Sequence, residues 1–146
     1  MIAFRPYRDA DLDAVARVWR ESFLSSGVTP ATPPTDAANR DRILRELAAH
    51  WRITVAIEDG AVVGFMATQP ALGVLDQLFI APSAQGKGLG AEMLRLAQDE
   101  MPGGFWLRAA QENVHACRFY EREGLRLDRL APHPVYGHPT VVYVWP

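Results

Sequence analysis

A glycine-rich turn between an apolar strand and a helix constrains the fold of this chain more than any other feature. Residues 85–90 are Gln-Gly-Lys-Gly-Leu-Gly; they follow an apolar run that ends at Pro82 and precede a segment with helical spacing of apolar residues. The first N–H groups of a helix have no internal partner, and the helix dipole makes that end electropositive. Because glycines let the backbone approach an anion closely, the segment predicts a phosphate-binding turn.

Two widespread phosphate-binding motifs fit this turn poorly. The P-loop motif requires a Ser or Thr directly after its lysine, whereas Lys87 is followed by Gly88. The dinucleotide-binding motif places its third glycine three residues after the second, whereas that position here is Ala91. An anion site of another kind is therefore expected.

Hydrophobic spacing predicts the element order β-α-α-β-β-β-α-β-α-β-β. The pair Asp59-Gly60 is typical of a hairpin turn, and residues 72–81 predict a strand that ends before Pro82. The first helix is indicated by apolar residues that recur at spacings of three and four, namely Leu12, Val15, Ala16, Trp19 and Phe23. Elements in this order pack most naturally as a mixed sheet flanked by helices.

Composition excludes several classes of protein. The 146 residues include 15 Lys and Arg against 17 Asp and Glu, so the chain lacks the basic surface of a nucleic-acid-binding protein. A single cysteine rules out an internal disulfide, and the histidines are not spaced for a metal site. No apolar run approaches the roughly 18 residues of a membrane span, and no signal peptide is visible. We expect one cytoplasmic domain without a membrane or nucleic-acid partner.

A second motif lies about 25 residues after the glycine turn. Residues 113–125 are Asn-Val-His-Ala-Cys-Arg-Phe-Tyr-Glu-Arg-Glu-Gly-Leu. Together with Leu-Phe-Ile-Ala-Pro at residues 78–82 and the turn itself, this segment resembles the GCN5-related N-acetyltransferase (GNAT) superfamily. The resemblance implies an α/β fold with a single N-acetyltransferase domain over residues 1–146. It also implies a mixed, mostly antiparallel twisted sheet of about seven strands, flanked by about four helices, with a V-shaped splay between the fourth and fifth strands.

The resemblance further implies acetyl-CoA as cosubstrate, without a metal ion. The pyrophosphate would lie on backbone N–H groups of residues 86–91, and the pantetheine arm would lie along residues 78–80. The implied coenzyme-binding residues are Leu78, Phe79, Ile80, Gln85, Gly86, Lys87, Gly88, Leu89, Gly90, Ala91, Asn113 and Tyr120.

Two catalytic residues are candidates. By resemblance, Tyr120 protonates the departing thiolate, a task suited to a phenol that stays protonated at neutral pH. Asp76, upstream on the strand that leads to the turn, is the candidate general base or amine anchor, acting directly or through water. Some relatives carry a glutamate on the strand before the second motif, where this chain has Arg108. The identity of the base therefore stays open, and an arginine there favours a substrate with a carboxylate.

The acceptor is expected to be the primary amine of a small molecule or an amino-acid-like compound, attacking directly in a ternary complex, because no extra domain or basic arm would dock a macromolecule. Two alternatives stay open: transfer to a peptide or protein amine at an N-terminus or a lysine, and a non-catalytic CoA-binding sensor module. The loop of residues 25–36 and the Pro-rich segment of residues 132–139 are candidate covers for the acceptor pocket. The last strand is a candidate homodimer contact.

Overall fold

The computed structural model describes residues 2–30 and 32–146, and its elements follow the predicted order. Ala31, inside the predicted cover of residues 25–36, lies outside the described residues. The helices are α1 (Leu12–Leu24), α2 (Asp36–Ala49), α3 (Leu89–Glu100) and α4 (Val114–Arg122). The strands are β1 (Ile2–Pro6), β2 (Arg52–Glu58), β3 (Ala61–Gln69), β4 (Val74–Ile80), β5 (Phe105–Ala110), β6 (Arg126–Pro132) and β7 (Pro139–Trp145).

All seven strands join one mixed sheet in the order β1-β2-β3-β4-β5-β7-β6. Neighbours are antiparallel except β4 and β5, which are parallel and share a single register pair, Val74 with Trp106. Beyond that pair the two strands part, which confirms the predicted splay between the fourth and fifth strands. The free edges of β4 and β5 become the walls of a cleft.

Helices cover both faces of the sheet, so that each face has its own apolar core. On one face α1 and α2 pack Val15, Trp19 and Ile43 against residues such as Val55 and Phe65. On the other face α3 and α4 contribute Met93, Leu94 and Tyr120, packed with Leu107 and Tyr143. Both sets are almost completely buried, and this packing fixes the helix ends that border the cleft.

Strand β4 begins later than predicted and is irregular in its middle. It begins at Val74 rather than at residue 72, because residues 69–73 form a turn in which the Leu72 amide donates to the Gln69 carbonyl at 3.1 Å. In its middle, Gln77 pairs with Ala67 whereas Leu75 pairs with Thr68, so Asp76 is the extra residue of a β-bulge. Bulges re-aim side chains and are frequent beside functional sites.

Across residues 2–30 and 32–146, no helix has both the length and the apolar character needed to span a bilayer.

Candidate active site

A cleft of about 590 Å³ lies between the end of β4, the glycine turn, the end of α1 and α4. All of the predicted coenzyme-binding residues except Lys87 line it. The turn, the strand and the second motif, which are separate in the sequence, are therefore brought together around one space. Its lining, which runs from the end of β4 to the start of α3, suits an extended ligand with an anionic group at the helix end.

Lys87 is the predicted residue that the fold places elsewhere. Its Nζ lies 3.1 Å from Oε1 of Glu58, at the end of β2, and the residue does not line the cleft. A contact between Lys87 and a phosphate would require this exposed ion pair to open. Such pairs contribute little to stability, so opening costs little.

The start of α3 presents unpaired amides to the cleft. Gly88 caps the helix with φ +81°, and Gly86 has φ +82°, a left-handed conformation that favours glycine. The first helical bond runs from the Glu92 amide to the Gly88 carbonyl at 3.2 Å, so the amides of residues 89–91 have no hydrogen-bond acceptor among the described residues. A side chain does not cap them either. They can bind an anion.

Gly90 has a packing role that the sequence did not reveal. A Cβ atom at this position would lie 3.2 Å from Cζ of Phe119, which itself packs against the ring of Tyr120. Gly86 and Gly88, in contrast, have open space where a Cβ would stand. The third glycine therefore permits close approach of α3 to α4, and the first two shape the turn.

A smaller cleft of about 120 Å³ continues between β4 and β5, where the strands part. Asp76 and Arg108 line it from opposite strands, together with Val28 from the loop after α1. The two clefts share several lining residues: Ser26, Leu78, Phe79, Asn113, Ala116 and Tyr120. From the segment of residues 25–36, Ser26 and Val28 thus line the smaller cleft.

Tyr120 stands at the junction of the two clefts. It is 8% exposed, and its ring packs on those of Phe119 and Tyr143. Its hydroxyl has no hydrogen-bond partner among the described residues, and these residues do not enclose it completely. Because the residue lines both clefts, its hydroxyl is available to a bound group. Burial raises the pKa of Tyr120 well above its ordinary value of about 10, with a smaller contribution from Cys117. The phenol consequently keeps its proton at neutral pH and can donate it to a group in the cleft.

Asp76 is held in place by two donors. Its Oδ2 accepts a hydrogen bond from Nε1 of Trp51 at 2.8 Å and another from Nε2 of Gln69. Oδ1 has no partner among the described residues, so it is the oxygen available to a bound group. The bulge of β4 and the buried ring of Trp51 together fix where this carboxylate lies.

Asn113 both caps α4 and lines the two clefts. Its Oδ1 accepts a hydrogen bond from the Ala116 amide at 3.1 Å, which caps α4. The residue also lines both clefts, and its side-chain amide nitrogen has no acceptor among the described residues. The cap therefore orients an amide donor toward the cleft.

Several cleft residues were not anticipated from the sequence. Ser22 lies at the end of α1 and donates to the Ile80 carbonyl at 2.8 Å, and Gln85 Nε2 donates to the same carbonyl at 3.0 Å. The other unanticipated lining residues are Ala84, His115, Ala116, Phe119, Arg122 and Glu123. Within residues 2–30 and 32–146, no group of three or more His, Cys, Asp or Glu side chains is placed to hold a metal ion.

The Pro-rich segment of residues 132–139 forms a tight loop around His133. Nδ1 of this histidine accepts hydrogen bonds from the amides of Val135 and Tyr136, each at 3.1 Å, and its ring stacks on those of Tyr136 and His138. Burial lowers the pKa of His133, and nearby His138, Arg108 and Arg42 lower it further. The loop is therefore built around a neutral imidazole that lies near the arginine of the smaller cleft.

We expect this loop to weaken in mild acid. The unfolded histidine titrates near its ordinary value of 6.5, whereas the folded one has a lowered pKa, so the stability it contributes is complete above 6.5 and declines as the pH falls. NMR titration should show His133 protonating at a pH below the ordinary histidine value of 6.5. Between pH 7 and pH 5.5, the free energy of unfolding should fall less in His133→Asn than in wild type or His115→Asn. Equal falls in all three proteins would show that His133 is not responsible.

Comparison with known proteins gives a consistent result. The model of the acetyltransferase (GNAT) family matches residues 12–125. Among curated proteins, the chain is 28% identical to the peptidyl-lysine N-acetyltransferase YiaC of Escherichia coli over 148 aligned residues, which cover 97% of this chain and 95% of YiaC.

Solved structures share the fold at lower identity. The PaiA N-acetyltransferase of Thermoplasma acidophilum, solved with coenzyme A, has a TM-score of 0.78 at 17% identity and covers 99% of each chain. The yncA protein of Salmonella typhimurium, solved with acetyl-CoA, has a TM-score of 0.75 at 15% identity, covering 99% of this chain and 93% of its own. At these identities the similarity shows the fold.

Proposed function

This chain belongs to the GNAT acetyltransferase family and is an acetyl-CoA-dependent acyltransferase, and we propose that its acceptor is the primary amine of a small-molecule or amino-acid-like compound, attacking directly in a ternary complex. The observation that carries the proposal is the position of Tyr120, whose protonated hydroxyl lies at the junction of the larger cleft, of about 590 Å³, and the smaller cleft. An acetyl donor in the larger cleft and an acceptor amine in the smaller cleft would meet beside this hydroxyl.

The larger cleft has features that suit the coenzyme. The unpaired amides at residues 89–91 offer donors to a diphosphate, and the open space at Gly86 and Gly88 lets it approach the backbone. The free edge of β4 offers strand-like hydrogen bonds to the pantetheine arm. The Ile80 carbonyl already accepts from Ser22 and Gln85, so we place those bonds upstream of it.

Tyr120 and Asp76 have different roles in the proposed acyl transfer. Acetyl-CoA supplies a thioester whose acyl group passes to the amine nitrogen as the carbon–sulfur bond breaks. The acceptor ammonium first loses one proton to water, so that it attacks as a neutral amine. As the carbon–sulfur bond breaks, the acceptor nitrogen loses a second proton to water, and Tyr120 gives the proton at its Oη to the sulfur and recovers one from solvent. Asp76 binds the acceptor ammonium through its free Oδ1 and positions it at the junction. The small volume of the smaller cleft, in which we place the acceptor, favours a small molecule.

Replacing Asp76 by asparagine tests the anchoring role. Loss of a charged hydrogen bond should raise the acceptor KM about 10- to 100-fold and change kcat much less. Initial rates over a range of acceptor concentrations and pH values measure this, with Asp99→Asn, on the exposed face of α3, as the matched control. A lower kcat at unchanged KM, with loss of the ionisation seen in the pH–rate profile, would make Asp76 the general base instead.

The proposed activity is tested by thiol release. Free thiol is measured after acetyl-CoA is mixed with free amino acids, polyamines, aminoglycosides or peptides, and binding of CoA is measured by calorimetry. We expect amine-dependent thiol release with at least one small amine. CoA binding without release for any acceptor would instead support a sensor module.

A second acceptor class is favoured by one observation. The relative YiaC, which is 28% identical, is named a peptidyl-lysine N-acetyltransferase. Lysine-containing peptides therefore belong in the same assay. Faster turnover of peptides than of any small amine would replace the small-molecule proposal while keeping the transferase.

A further inference from the structure

The smaller cleft holds two opposite charges that do not neutralise each other. Asp76 and Arg108 are its charged lining residues within the described part of the chain. Neither takes part in an ion pair within 4 Å among residues 2–30 and 32–146. Both are only partly exposed, so solvent does not fully replace the missing partner. A ligand with both charges would complement the cleft.

Arg108 is held in a way that leaves its donors available. Its guanidinium lies over the ring of Trp106, with the central carbon 5.1 Å from the ring centroid. Contact of a guanidinium with an aromatic ring does not use its N–H groups in hydrogen bonds to an oxygen acceptor. Those groups have no acceptor among the described residues, and their planar arrangement matches a carboxylate.

The two charges stand on opposite walls. Asp76 projects from the bulge of β4, and Arg108 lies on β5, beyond the single pair that joins these strands. The smaller cleft has a volume of about 120 Å³, about one fifth of the 590 Å³ of the larger cleft. This volume suits a compact molecule with its amine and its acid group a few bonds apart.

We propose that the acceptor is a small zwitterion, an α-amino acid or a close analogue, whose carboxylate binds Arg108 while its ammonium group binds Asp76. The inference rests on the proposed function and narrows its acceptor. Arg108 is thus a specificity-determining residue: it aligns the acceptor so that the amine, once deprotonated, faces the junction at Tyr120.

The surroundings of the smaller cleft are also positive. The guanidinium of Arg42 lies 5.6 Å from the ring centroid of Trp51, the residue that donates to Asp76. After burial and His138, the charges of Arg108 and Arg42 both contribute to the lowered pKa of His133, so cations converge here from β5 and α2. Cationic side chains near the smaller cleft favour an acceptor with a carboxylate over a plain amine.

Matched acceptors with and without a carboxylate test the proposal. Alanine and alaninamide, and serine and serinamide, are compared by thiol release with acetyl-CoA. The amide has the less basic amine, so more of it is neutral at pH 8, and a preference for the amino acid cannot arise from amine protonation. We expect kcat/KM to be about 10- to 100-fold higher for the amino acid than for its amide.

Variants then attribute the preference to Arg108. Arg108→Gln should bring the amino-acid-to-amide ratio close to one, and Arg108→Lys should restore part of it, because lysine keeps the charge but not the fork. Arg95→Gln, at an exposed position of α3 that lines neither cleft, should keep the wild-type ratio. Thermal melting confirms that each variant is folded.

The outcomes separate this inference from the function on which it rests. Turnover of amides or plain amines as fast as amino acids, or equal losses for both acceptors in Arg108→Gln, would overturn the zwitterion proposal and leave the transferase intact. Faster turnover of lysine peptides would overturn it in favour of a macromolecular acceptor. CoA binding without thiol release for any acceptor would overturn the proposed function itself.

Discussion

Tyr120→Phe is expected to lower kcat about 10²- to 10⁴-fold, the range associated with loss of a positioned proton donor. The substitution removes only the hydroxyl, which has no partner among the described residues, and leaves the ring packed against Phe119 and Tyr143. Affinity for CoA and the midpoint of thermal unfolding should therefore stay close to those of the wild type. Steady-state kinetics, calorimetry and thermal melting measure these three quantities.

Tyr143 provides a control for this experiment. It is fully buried, its ring lies 5.8 Å from that of Tyr120, and its hydroxyl hydrogen-bonds to Glu121 at 2.5 Å rather than facing a cleft. Tyr143→Phe should thus lower stability and keep kcat, the opposite of Tyr120→Phe. If Tyr120→Phe keeps the wild-type kcat, the thiolate takes its proton from water and Tyr120 has no part in the chemistry.

The pH dependence of kcat offers a second check on Tyr120. Because burial raises the pKa of Tyr120 above its ordinary value of about 10, its proton donor stays available throughout the neutral and mildly basic range. Up to pH 9, we expect no loss of kcat that depends on Tyr120. The pH profiles of the wild type and Tyr120→Phe should therefore have the same shape over this range. A basic limb near pH 8 that this substitution removes would mean that the hydroxyl ionises more easily than its surroundings imply.

The residues around the larger cleft could be predicted from local sequence motifs. The turn at residues 85–90 and the helix at residues 113–124 are contiguous, and each carries its own structural signals, glycines in one and a cap at Asn113 in the other. Their meeting around one cleft follows from the parallel β4–β5 pair, which the strand–helix–strand order already implied. All but Lys87 of the predicted coenzyme-binding residues accordingly line that cleft.

The acceptor side could not be predicted in the same way, because it is assembled from distant segments. The bulge at Asp76 depends on how β4 pairs with β3, and its hydrogen bond comes from Trp51, 25 residues earlier. Ser22 reaches the end of β4 only because α1 packs on the sheet. Such contacts depend on tertiary packing and leave no local signal in the sequence.

Gly88→Asp is expected to weaken CoA binding about 10²- to 10³-fold relative to Gly88→Asn. Asn and Asp have nearly the same size, and both tolerate the left-handed conformation that Gly88 adopts at φ +81°. A Cβ atom there meets open space, so neither substitution creates a clash within the protein. The two variants therefore differ mainly by one negative charge beside the amides that would hold the diphosphate. At about 4 Å and an effective dielectric constant near 20, such repulsion amounts to roughly 4 kcal/mol, or about 10³-fold in affinity.

Calorimetric titration with CoA at low and high salt measures this difference. The gap between the variants should shrink as salt rises, because screening weakens repulsion between partly exposed charges. With S-acetylpantetheine, a donor that lacks the diphosphate, the two variants should have similar kcat/KM values. Gly90 would be a poor choice for this test, because any side chain there also meets Phe119 and a loss would have two causes. Equal CoA affinity in Gly88→Asp and Gly88→Asn would place the diphosphate away from the start of α3 and remove the physical basis for the coenzyme site.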